Sequence, residues 1–152
     1  LVDGTLDEPN GVTLSIDEAT LYVASETDGG VLTKYPVLPD GTVGAGSSFV
    51  QSVNLSSGAV AANIDGMTID CAGNLYAAVV NTPTVAVINP SGTVIGELSV
   101  PNGANVTNTA FGGSDHKTLY VTTQGTGGGP TPGASKAQGL FEATLGIPGM
   151  PY

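Results

Sequence analysis

An all-β fold built from a repeated four-stranded unit is what this sequence predicts, on three observations. One short pattern occurs three times: an Asn or Asp, a short apolar strand, a tight turn, then a second strand opening on Leu-Tyr. It is clearest from Ile64 to Ala78 and returns from Pro9 to Ala24 and from Thr107 to Thr122. The Leu-Tyr pairs begin at Leu21, Leu75 and Leu119, 54 and 44 residues apart, which is the period expected of β-propeller blades. Finally, 23 glycines and 10 prolines with no tryptophan suit many short strands and turns. No stretch keeps apolar residues at helical spacing beyond about two turns.

Taken in order, Leu1 to Leu6 ends in a turn-like Asp3-Gly4-Thr5, and Glu8-Pro9-Asn10-Gly11 turns the chain into the first unit. Val12, Leu14 and Ile16 alternate with Thr13 and Ser15, the period-two signature of a half-buried strand. Leu21 to Ser25, Val31 to Tyr35 and a strand following Pro39-Asp40-Gly41-Thr42 complete the unit. The second unit repeats the plan with Leu75 to Val80, Val85 to Ile88 and Val94 to Val100. Its late turn, Pro90-Ser91-Gly92-Thr93, echoes the first, with Thr42 and Thr93 separated by 51 residues. Proline presets the first turn angle and glycine accepts a positive φ, so the shared chemistry has a mechanical reason. The third unit has strands at Leu119 to Thr123 and Leu140 to Leu145, divided by a polar, Gly/Pro-rich linker over 124–138, and no fourth strand of its own.

The expected blades are therefore 9–53, 63–100 and 105–145. Three blades do not close a ring, since propellers have about four to eight. The expectation is half of a six-bladed ring, or a ring completed by another chain. Left alone, such a half exposes two blade faces.

Composition narrows the partners. Three lysines against 13 acidic residues give a net charge of −10, which phosphate backbones and anionic lipid surfaces repel. Neither nucleic acid nor membrane is an expected partner. No run of about 18 apolar residues is long enough to span a bilayer. The acidity is compatible with a secreted or high-salt protein, and an extracellular or periplasmic location is the expectation. Cys71 is the single cysteine, so an intrachain disulfide and a cysteine-based zinc site are both excluded. The start at Leu1, without methionine or a signal-like stretch, reads as a processed, truncated or partial polypeptide.

Alignment on the Leu-Tyr pairs isolates the candidate site. Asn10 lies eleven residues before Leu21, Asp65 ten before Leu75 and Asn108 eleven before Leu119. Each unit thus opens its first strand with a small oxygen-bearing side chain, and first strands line a propeller's axis. Two amides and a carboxylate are hard donors suited to calcium, magnesium or manganese. The same residues also read as plain turn formers, because Asn and Asp side chains bond to nearby backbone.

Three segments resemble a known family. Pro9-Asn10-Gly11-Val12 with Ser15-Ile16-Asp17 and Leu21-Tyr22-Val23-Ala24 is one. Asp65-Gly66-Met67 with Ile69-Asp70 and Gly73-Asn74-Leu75-Tyr76 is the second. The third runs from Thr107-Asn108 through Ala110-Phe111-Gly112-Gly113 and Asp115 to Lys117-Thr118-Leu119-Tyr120-Val121-Thr122, and Pro148-Gly149-Met150-Pro151 closes the chain. Together, in this order, they resemble the C-terminal half of the SMP-30/gluconolactonase/LRE-like lactonases. The resemblance implies a six-bladed propeller that hydrolyses a sugar-type or related lactone with a divalent metal at its axis. Calcium comes first as that ion, with zinc, magnesium or manganese as the others.

It further implies that Asn10 and Asp65 are metal ligands, that Asp65 is also the general base, and that Asn108 lines the channel. The family's third ligand, a glutamate near the N-terminus, has no counterpart here, nor do the polar residues of the first three blades. A second half-propeller, from this or another chain, is the expected completion. The alternative is a non-catalytic half-propeller that assembles as a structural or binding module.

Other candidates read as structural. His116, the only histidine, falls in the turn matching Glu18 and remote from the axis, which argues against a catalytic triad. Glu26 and Asp28 read as a solvated acidic loop or a cation contact at a channel mouth. Gly127 to Gly129 lack the lysine and helix of a phosphate loop. Asn54-Leu55-Ser56 and Asn105-Val106-Thr107 fit the glycosylation triplet.

Overall fold

The computed structural model describes residues 1–25, 32–58, 60–61, 63–101, 105–125 and 138–151. The first unit forms β1 (Pro9–Leu14), β2 (Thr20–Ser25), β3 (Leu32–Pro36) and β4 (Ser47–Val50), an antiparallel sheet in that order. A small hairpin, β5 (Val53–Asn54) with β6 (Val60–Ala61), leads into the second unit. There β7 (Ile64–Ile69), β8 (Leu75–Val79), β9 (Thr84–Ile88) and β10 (Val94–Ser99) make the second sheet. The third holds β11 (Asn105–Gly112), β12 (Thr118–Gln124) and β13 (Gly139–Thr144). The acidic loop with Glu26 and Asp28, most of the linker and Gly127 to Gly129 lie outside the described residues.

The repeat extends to individual hydrogen bonds. The turns after β1, β7 and β11 place Glu18 (φ 55°), Gly73 (φ 84°) and His116 (φ 56°) in the left-handed region, and the longer third turn adds Gly113 (φ 85°). Glu18, Gly73 and His116 each donate the N–H to the carbonyl three residues back, on Ser15, Asp70 and Gly113 respectively. The two late turns match as well, with Gly41 bonded to Leu38 and Gly92 to Asn89. The strands beyond those two turns differ. β10 starts at Val94 directly after its turn, whereas Val43 makes only an isolated bridge to Val37 and β4 begins at Ser47.

The second sheet lies between the other two and carries the core on both faces. Along β8, Leu75, Ala77 and Val79 join the cluster shared with the first sheet, including Tyr22, Ala24, Leu32 and Ile64. Tyr76 and Ala78 point the other way, to Val106, Leu119 and Val121 of the third sheet. A strand apolar on both faces is what burial on both sides demands. Each large apolar side chain so buried contributes about 1.5–3 kcal/mol.

The third sheet has three strands among the described residues, in keeping with a third unit that lacks a fourth strand of its own. After β13 the chain turns back as residues 147–150, which hydrogen-bond to the turns of the second and third units instead of pairing along β13. The alternation in β1 is real, but its apolar side is not the covered one. Gly11 and Thr13 face inward, while Val12 is 58% exposed and Ile16, in the turn, 46% exposed. The first sheet turns Tyr22 and Ala24 toward the second sheet, which leaves the opposite face, with Val12 opposite Val23, partly open.

Candidate functional site

Each inner strand contains one extra residue. Asn10-Gly11 stand opposite Ala24 alone, because pairing passes from Pro9↔Ser25 to Val12↔Val23. Asp65-Gly66 likewise stand between Ile64↔Val79 and Met67↔Ala77. In β11 the insertion is Thr107, between Val106↔Thr123 and Asn108↔Thr122. A β-bulge bends its strand and re-aims the side chains at that point. The three bulges lie at the same level of the three sheets, and they bring Asn10, Asp65, Thr107 and Asn108 around one cavity.

That cavity has a volume of about 570 Å³, with Thr68 among the other residues on its wall. The inner strands approach closely because two bulge positions are glycine. A Cβ on Gly11 would collide with the backbone carbonyl of Asp65, and one on Gly66 with the side chain of Asn108. This close contact gives Asn10-Gly and Asp65-Gly a role beyond turn formation, the second reading their sequence allowed.

The register corrects the candidate list. Val12, Met67 and Thr109 each pair with the residue two beyond the Leu of their Leu-Tyr motif. Counting back from there, the equivalent of Asn10 and Asp65 is Thr107, and Asn108 holds the position of Gly11 and Gly66. The turn between Phe111 and Leu119 is longer than those of the other units, so counting from Leu-Tyr slipped by one residue. Counting four residues back from the partner of that Leu, which is Leu14, Ile69 or Phe111, reaches Asn10, Asp65 and Thr107. Its hydroxyl lies 2.8 Å from that of Thr122. The Asn108 amide oxygen accepts the N–H of Thr109 at 2.8 Å.

As a chemical environment, the cavity wall offers an amide from Asn10, a carboxylate from Asp65 and hydroxyls from Thr68 and Thr107. These are hard oxygen donors, the set that fits calcium, magnesium or manganese. No group of three or more His, Cys, Asp or Glu that could hold a metal occurs among the described residues. A complete coordination shell therefore requires ligands beyond these.

Asp70, at the far end of β7, belongs to the framework. It is 0% exposed. One carboxylate oxygen accepts the N–H groups of Ala72 (2.8 Å) and Asn74 (2.9 Å), and the other accepts the Asn74 amide (2.8 Å) and the Tyr76 hydroxyl (3.2 Å). Burial, reinforced by the Asp70 charge and hydrogen bond, pushes Tyr76 up to about 12. His116 is in the corresponding turn of the third unit, about 20 Å along the strand from Thr107 at strand rise. Its carbonyl accepts the Gly149 N–H at 2.8 Å. Cys71 is exposed and donates its thiol to the Gly149 carbonyl at 3.2 Å. Of the two glycosylation triplets, Asn54 is exposed in β5, while Asn105 is half-buried at the start of β11.

Three consecutive antiparallel sheets, packed side by side with their inner strands around a polar cavity, define a β-propeller-like fold. Residues 1–125 match the SMP-30/gluconolactonase/LRE-like region, and the chain belongs to that family. It is 32% identical over 150 residues to the pentonolactonase XacC of Haloferax volcanii, covering 94% of this chain and 49% of that protein. Among solved structures, a gluconolactonase from Xanthomonas campestris superposes with a TM-score of 0.66 at 26% identity, over 95% of this chain and 38% of the other. The calcium-binding protein regucalcin from Agrobacterium tumefaciens shares the fold, with a TM-score of 0.73 at 24% identity over 94% of this chain and 47% of the other. The chain thus spans about half the length of the pentonolactonase it matches.

Proposed function

We propose that this chain is the half of a divalent-metal-dependent lactonase that carries the general base. The observation that supports the reading is that Asn10 and Asp65, each on a bulge of an inner strand, share one polar cavity. Asn10 would hold the ion through its amide oxygen and Asp65 through its carboxylate. A divalent ion held by these two residues, with calcium as the first candidate, would supply Lewis acidity toward a lactone carbonyl and toward water. Asp65 takes the proton from water as the water oxygen bonds to the carbonyl carbon. The ring C–O bond then breaks, and the ring oxygen takes up a proton to become the hydroxyl of the hydroxy-acid product. The names of the pentonolactonase and gluconolactonase relatives support a sugar-type lactone as substrate.

The active unit needs a second half-propeller. Two open flanks support this: the Val12 face of the first sheet, and an apolar groove of about 400 Å³ on the third, lined by Ala110, Tyr120, Thr122 and Leu140 among others. The same flanks suit the second reading, a non-catalytic module that assembles through them. Lactone hydrolysis separates the two. Proton release by the full-length protein is expected to depend on calcium and to stop on chelation. Asp65→Ala is expected to lower the metal-dependent rate by at least about 100-fold. Activity that survives Asp65→Ala rules out this mechanism.

A further inference from the structure

The pairing register singles out a residue that the candidate ligand pair does not include. Asn10, Asp65 and Thr107 occupy one position in three successive inner strands, each within the bulge that breaks the ladder. All three line the same cavity. Asn108, which follows Thr107, occupies the level of the two glycines, and its amide oxygen is engaged by the Thr109 N–H.

Thr107 is also oriented. Its hydroxyl and that of Thr122, on the neighbouring strand, are 2.8 Å apart. A hydroxyl has one proton and two lone pairs. If Thr122 donates, Thr107 retains both a proton and a lone pair for a ligand in the cavity. If Thr107 donates, it keeps its lone pairs, which suit a cation. Either arrangement gives a fixed oxygen at the level of Asn10 and Asp65.

We infer that Thr107 is the third oxygen contact of the axial cation, direct or through one water, and that Thr122 holds it in place. This rests on the metal-dependent reading above. It extends the donor set of this chain to an amide, a carboxylate and a hydroxyl, one from each sheet.

The test is calcium binding to the full-length protein by titration calorimetry, with no substrate present. Thr107→Val keeps the shape and strand preference of threonine and removes the oxygen. It is expected to weaken calcium binding about tenfold, the lower end of what loss of a supporting contact at a metal site does. Thr107→Ser is expected to stay within about twofold of the wild type, while Thr122→Val should give an intermediate loss. Thermal melting of each variant checks that the fold is kept. A wild type that binds calcium and a folded Thr107→Val that binds it equally well overturn the role of Thr107 and leave the metal reading standing. A folded wild type that takes up no divalent ion overturns the metal reading and the place of Thr107 together.

Discussion

The Asp70 carboxylate accepts four hydrogen bonds from three residues while wholly shielded from water. Removing such an acceptor strands the N–H groups of Ala72 and Asn74 and the Tyr76 hydroxyl. We expect Asp70→Ala to lower stability by about 3 kcal/mol or more, measured by urea unfolding. Tyr76→Phe removes only the longest of the four bonds and should cost about 1 kcal/mol. The same region sets a pH dependence. Tyr76 is pushed up to about 12 by burial and by Asp70. Tyr35 is also pushed up to about 12, by burial and by the hydrogen bond it donates to Asp3 at 2.8 Å. Above the ordinary tyrosine value of 10.0, the unfolded chain releases these protons and the native chain keeps them. By linkage, stability is intact below pH 10 and falls as pH rises toward about 12. Thermal melts over that window should steepen their fall with pH, and a Tyr35→Phe/Tyr76→Phe protein should show a shallower slope. An unchanged slope would exclude these two groups as the cause.

At the scale of elements, the segment 147–150 ties two units together. Cys71 donates its N–H to the Pro148 carbonyl at 2.9 Å and Met150 donates to Ile69 at 3.1 Å. Gly149 donates to His116 at 2.8 Å, and a Cβ at Gly149 would collide with the Phe111 side chain. Gly149→Ala is therefore expected to lower stability by about 1–3 kcal/mol, the usual range for forcing atoms into a packed site. Chemical denaturation would measure it, and an unchanged midpoint would show that the segment adds no tie. The repeated turns were legible in the sequence because their cause is local: an Asp-Gly or Ser-Gly pair fixes its own backbone. The inner-strand register was less so. It depends on turn length, and the longer turn after Phe111 shifted the alignment from Thr107 to Asn108. Which face of β1 is buried was not legible at all. Val12 and Thr13 both suit a strand, and only the position of the second sheet decides that Thr13 goes inward.

On the scale of the whole molecule, the middle sheet shows how an inner unit of this fold is satisfied. β8 is buried along its whole length because one flank packs on the first sheet and the other on the third. The two outer sheets each have one flank covered in this way. Val12 on one open flank is 58% exposed, and Leu140 on the other is 67% exposed. The third-sheet groove adds Tyr120 and Ala110 to the apolar surface around Leu140. Contiguous apolar surface of this kind favours association over hydration. If these flanks receive further sheets, the chain 1–152 by itself should self-associate at micromolar concentration through them. A charge placed on either should weaken that association by at least about tenfold, since an unpaired carboxylate would be buried. Val12→Glu and Leu140→Glu test the two flanks separately in sedimentation velocity. Ile95→Glu, on the outer edge strand β10 and 56% exposed, is the control and should leave association unchanged. All three positions are solvent-exposed in the isolated chain, so each variant should unfold within about 0.5 kcal/mol of the wild type. A chain that sediments as a monomer, or one whose association responds only to Ile95→Glu, would show that the open flanks are not where another half-propeller docks.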